Sequence, residues 1–228
     1  MAGKQHDLRV AIESTPKRAF ATALDWPGWS RGGRTPDAAL QALVASVPRY
    51  ARVAGIAGLT FDASAPPQVG IEVAGSAHTD FGVPGAEFDL DREPLTPVEV
   101  ERVITLVEAA WKAFDAAVAS APAELRKGPR GGGRDRDKIA RHVLEAEGAY
   151  AGALGIKLAS PDPADRAAVR SHRGQMVNAL RDAASRPAPD PGSKPKRWTF
   201  RYATRRIAWH ALDHAWEIED RSTPDGSA

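Results

Sequence analysis

The apolar positions change period partway along the chain. Residues 8–14, LRVAIES, and 18–24, RAFATAL, are short runs rich in Val, Ala, Ile, Leu and Phe with STPK between them, the pattern of a two-stranded hairpin. DWPGWSRGGRT follows, with Pro27 and three glycines, and reads as a loop whose Trp26 and Trp29 pin it to a core. In TPDAALQALVASVPRYARVAG, Ala39, Leu40, Leu43 and Val44 recur at helical spacing behind Thr35 as N-cap and Pro36 at the first helical position. QVGIEVAG, 68–75, reads as a third strand, and residues 76–95 as a connection rich in turn formers and acids. The order β-β-α-β predicts a small α+β domain over residues 1–92.

From residue 93 the period is helical. Residues 96–120 open with Thr96, Pro97 and Glu99, a capping box. Val100, Val103, Ile104, Val107, Ala110, Trp111 and Phe114 then form one stripe. Residues 134–155, 162–185 and 198–221 are three more amphipathic segments. Four helices with one apolar face each predict an all-α up-down four-helix bundle over 93–228.

Composition narrows the chemistry. The 228 residues are 43% hydrophobic and 26% charged, an ordinary globular mix. There is no cysteine, which excludes disulfides, thiolate ligands and a cysteine nucleophile. No signal-peptide core or membrane-length apolar run is present, so a cytoplasmic protein with no membrane partner is expected. A net charge of +2 does not announce a nucleic-acid binder.

The densest stretch is RRIAWHALDHAWEIEDR, 205–221. His210 and His214 stand one helical turn apart and Glu217 shares their face, with Arg206 and Arg221 near the same stripe. Two imidazoles so spaced can reach one metal ion, or can be half-buried core residues packed against Trp209 and Trp216. His142 shares an alanine-rich face with Ile139, Ala146 and Ala149, and Glu145 lies one turn on. An inward His142 with an inward HxxxH pair is the pattern of a three-histidine site with an open fourth position. His172, beside Arg170 and Arg173, is expected at the surface, His78 in a loop and His6 in a floppy terminus.

Residues 96–221 resemble the DinB-like, or YfiT-like, family of metal-binding four-helix bundles. That resemblance implies one histidine ligand on the second helix and an HxxxH pair on the last, which fall on His142, His210 and His214. It also implies a divalent metal, Zn²⁺ or Ni²⁺ by donor type, and thiol-dependent transferase or isomerase chemistry with a low-molecular-weight thiol cofactor. The strand, Pro-Gly turn and helix start in ALDWPGWSRGGRTPDAALQAL are similar to the HicB-like domain, implying a reused α+β scaffold.

RKGPRGGGRDRDKIAR, 126–141, carries seven Lys or Arg and two Asp. Arg130, Arg134 and Arg136 flank three glycines at a helix start, an arrangement that suits an anionic substrate or thiol cofactor and equally a solvated linker. No aromatic residue interleaves these cations, which disfavours nucleic acid. The expected protein is therefore a metal-dependent transferase, isomerase or hydrolase acting on a small molecule. Glu145 or Glu217 would orient a ligand or act as general base. A non-enzymatic regulatory or protein-interaction module with a metal-stabilised bundle is the alternative, and self-association stays open.

Overall fold

The computed structural model describes residues 8–128, 133–187, 189 and 196–222. Strands β1 (Leu8–Ser14) and β2 (Ala19–Ala23) form the expected antiparallel hairpin. Its turn is closed by Thr15, whose Oγ1 accepts from the N–H groups of Lys17 and Arg18. Strand β4 (Pro67–Ala74) runs parallel to β1. The expected loop after β2 contains a further strand, β3 (Ser30–Gly33), and the sheet order is β3-β2-β1-β4. Two glycines in four residues give β3 little intrinsic strand preference. Pairing with β2 makes it: the Thr22 and Ser30 hydroxyls meet at 2.8 Å, and buried Trp29 stacks on Tyr50 with ring centroids 5.1 Å apart.

Val10, Ile12, Ala21 and Ala23 alternate onto one sheet face, covered by α1 (Pro36–Ala45) and α2 (Val47–Ile56). These are two helices where one was expected. Pro48 lacks the N–H that would continue the ladder to Val44. Ser46 marks the break, donating to the Leu43 carbonyl at 2.7 Å and accepting the Trp29 indole N–H at 2.8 Å.

A short helix α3 (Ala77–Phe81) precedes a 3₁₀ turn at Asp89–Arg92. Then come α4 (Pro97–Ser120), α5 (Arg136–Leu154), α6 (Arg166–Ala184) and α7 (Phe200–Ser222). The capping box at α4 is present, with Glu99 N–H on Thr96 Oγ1 at 3.3 Å and Thr96 N–H on Glu99 Oε2 at 2.8 Å. The protein is thus mixed α+β, with the sheet in its N-terminal part and the long helices after it.

Helix α7 positions the chemistry. It packs on α4, α5 and α6 and is buried continuously from Tyr202 to Leu212. It also reaches the other sheet face, where Phe20 meets Trp209 edge-on at 6.3 Å. Gly28, at φ +88°, lets the β2–β3 turn press on α7; a Cβ there would lie 2.9 Å from Ala208 Cβ. One apolar cluster consequently runs from Val10 and Leu43 through Ile104 and Ile139 to Ile207.

The connection 76–95 is held tightly. Buried Glu13 accepts from the Thr79 hydroxyl at 2.8 Å and from the N–H groups of Gly85 and Ala86 at 3.1 and 2.8 Å. From α7, Tyr202 donates to the Gly85 carbonyl, Arg206 to the Pro84 carbonyl, and Arg205 Nε to Asp91 Oδ1 at 3.1 Å. No described helix is long and apolar enough to cross a membrane.

Candidate metal centre

Helical spacing brings His210 and His214 onto one face of α7, and α5 crosses that face with His142. The three rings form a triangle, with centroids 5.1 Å apart for His142–His210 and His142–His214 and 4.7 Å for His210–His214. One nitrogen from each lies within 4.8 Å of the other two, so the group could hold a metal ion.

Environment keeps two of these imidazoles neutral. Burial, and then the neighbouring His214, lowers His142; the same causes, with His142 and Arg206 adding to them, push His210 well below the ordinary histidine value. A metal ligand must be neutral imidazole, so both are ready to bind near pH 7. His210 Nδ1 is buried and has no hydrogen-bond partner among the described residues.

His214 is oriented by its neighbour. Burial raises Glu217, but the His214 hydrogen bond and Arg221 outweigh it and hold the carboxyl below its usual range. An ionised carboxylate only accepts, so His214 Nδ1–H donates to Glu217 Oε2, at 2.8 Å. That fixes the tautomer and leaves the lone pair on Nε2 for a cation. Glu217 Oε1 in turn accepts from Arg221 at 2.7 Å, and Arg221 donates to the carbonyls of Arg126 and Arg134, each at 2.7 Å. Glu217 thus links the triad to the chain on both sides of residues 129–132.

The remaining expected residues fall less centrally. Glu145 is exposed on α5, and its charge favours protonated His142. Arg134 is exposed and contributes its carbonyl to Arg221. Arg136 pairs with Asp137 at 2.7 Å and donates to the Ala121 carbonyl at 2.9 Å. Arg130 lies outside the described residues. His78 is exposed and lies in helix α3, where a loop was expected, and it is not one of the three histidines that come together.

His172 is not at the surface: it is 4% exposed. Its neighbour Arg173 turns inward to Glu147 and Asp115, drawing that side of α6 into a second buried polar cluster. A cavity of about 580 Å³ beside that cluster is lined by Trp111, Leu144 and Val169 and touches none of the three triad histidines.

Sequence reasoning passed over Tyr150, whose ring lies 5.8 Å from that of His210. Its place on α5, eight residues after His142 and so on a similar helical face, was the available signal.

No protein-family model, curated protein or solved structure matches this chain.

Proposed function

We propose that His142, His210 and His214 bind one divalent cation, zinc or nickel by donor type, and that the site acts on a small molecule. The observation that carries this is the convergence of three imidazoles from two helices within 4.8 Å. The surroundings fit a cation: two rings are kept neutral by burial, His210 Nδ1 has no other described partner, and Glu217 orients His214. Such an ion, with three nitrogen ligands and an open position, polarises a bound water or substrate oxygen.

In this reading α4–α7 form a DinB-like up-down bundle, supported by the contacts of α7 with the other three helices and by the placement of one histidine on α5 and two on α7. The sheet and α1–α2 serve as a HicB-like scaffold that backs α7. The reaction is a transfer, isomerisation or hydrolysis, with a low-molecular-weight thiol as co-substrate for the first two. Glu217 holds His214 in one tautomer and keeps its own negative charge beside the site. Glu145, exposed one turn from His142, is the remaining candidate base.

The test is elemental analysis of protein purified without a histidine tag, alongside single alanine variants of the three histidines and His78→Ala as a surface control. One equivalent of metal in the wild type and the control, lost in each triad variant, is the expected result. Full metal in His210→Ala would sink the reading.

A further inference from the structure

Four of the described arginines are buried: Arg173, Arg205, Arg206 and Arg221. Three have a carboxylate. Arg173 pairs with Asp115 and Glu147, Arg205 with Asp91, and Arg221 with Glu217. Arg206 is 7% exposed and has no acidic partner among the described residues. Its NH1 group donates to the Pro84 carbonyl at 2.9 Å, and its Nε–H is buried with no partner among the described residues. A guanidinium never gives up its proton in a protein, so this charge cannot be relieved by titration. Burying it uncompensated is unfavourable unless an anion completes it.

The neighbours of Arg206 are also donors. Its guanidinium carbon lies 5.0 Å from the centre of the Trp209 ring and 6.0 Å from that of Tyr150. Trp209 Nε1–H is buried and has no partner among the described residues. Tyr150 brings a phenol O–H, a donor at neutral pH. Arg206 precedes His210 by one turn, about 6 Å along the axis. The Tyr150 and Trp209 rings lie 5.8 and 6.1 Å from that of His210. Donors of one polarity, grouped around an unpaired cation, recognise an acceptor that carries negative charge.

We infer that Arg206, Trp209 and Tyr150 form a carboxylate-binding subsite beside the three histidines, so that the small molecule handled there is an organic acid held by its carboxylate. This rests on the proposed metal centre for the reacting end of the substrate, but the subsite itself is built from residues that ligate nothing.

Acetate and inorganic phosphate serve as probes, titrated by calorimetry into tag-free wild type, Arg206→Met, Arg206→Lys and Trp209→Phe, with metal content measured on each. Wild type is expected to bind acetate, Arg206→Met at least tenfold more weakly, and Trp209→Phe in between. Arg206→Lys, which keeps the charge, should recover part of the loss. Metal content should be equal in all four. Without anion, Arg206→Met should melt no lower than wild type, because an unpaired buried charge has been removed.

Absence of acetate binding in the wild type, or equal binding in wild type and Arg206→Met, overturns the subsite and returns these donors to water. Preference for phosphate over acetate overturns the carboxylate class. An Arg206-dependent acetate site in a wild type without metal sinks the metal centre and keeps the subsite, whereas metal without acetate binding does the reverse.

Discussion

The helical half contains two buried polar clusters of opposite character. Between α4, α5 and α6, Glu147 faces Arg173 at 3.3 Å, and Asp115 takes the same guanidinium at 2.8–2.9 Å. Trp111 Nε1–H and the Nε2 lone pair of His172, whose Nδ1–H donates to the Ala159 carbonyl, have no hydrogen-bond partner among the described residues, and both lie beside Glu147. His172 Nε2 stands 3.8 Å from Glu147 Oε2, and the Trp111 side chain helps to hold the Glu147 proton off, against the dominant effect of burial. The one cation of the cluster faces carboxylates on both sides. Between α5 and α7, three imidazoles and Arg206 gather, and Glu217, bound to His214 and Arg221, is the carboxylate hydrogen-bonded there. A buried cluster whose cation is paired with carboxylates serves the fold. One that gathers lone pairs and an unpaired cation is set up to receive something from outside, a metal ion and an anion in this account.

The largest expected effect belongs to the ion-paired cluster. Arg173→Ala leaves Glu147 buried without its counter-charge and should cost about 3–5 kcal/mol of stability, read from urea unfolding. Metal content per folded chain should not change. A loss of metal with little change in stability would reverse the roles assigned to the two clusters.

Glu217→Gln removes the charge that orients His214 and stabilises its donor tautomer. Metal affinity should fall about 10–100-fold, the range for losing a carboxylate behind a histidine ligand. Competition with a chromogenic chelator measures it. An unchanged affinity would mean that Glu217 serves only to anchor Arg221.

The next test is pH. In metal-free protein His210 is held neutral by burial, with its pKa well below the ordinary value near 6.5. Below pH 6.5 the unfolded chain therefore takes up a proton that the folded chain refuses. Stability is full above that value and falls as pH drops, by at most about 1.4 kcal/mol per pH unit for this proton. His210→Gln should flatten this dependence between pH 6.5 and 5 in chelator-treated protein. An equal slope in both proteins would place His210 in water.

The smallest effect is expected at the basic loop. Arg134 is exposed and its carbonyl, not its side chain, does the anchoring, while its charge opposes protonation of His142 and His210. Arg134→Gln should shift metal and acetate affinities by less than about fivefold, as for other solvated charges. A collapse of acetate binding would move the anion site from Arg206 to the loop.

The sequence was legible where a periodicity converts spacing into geometry. HxxxH at 210 and 214, and the alanine-rich face of His142, placed three rings on facing helix stripes because a helix fixes which residues share a side. The Thr96–Glu99 cap was legible for the same local reason. Strand β3 was not, because SRGG has no strand preference of its own and depends on β2 and a buried Trp29. His172 was misplaced because arginine neighbours read as solvent-facing, while Arg173 is drawn inward by Glu147 on α5 and Asp115 on α4. The same holds for Arg206: its position near the histidine stripe was visible, but that no described carboxylate pairs with it is a fact of three dimensions.

X-ray absorption at the metal edge of the tag-free, metal-loaded protein tests the central claim most directly. The account expects a first shell containing three imidazole nitrogens at about 2.0–2.1 Å for zinc, with the imidazole scattering lost from one ligand in His210→Ala. A first shell of oxygen atoms alone, unchanged in that variant, would contradict it.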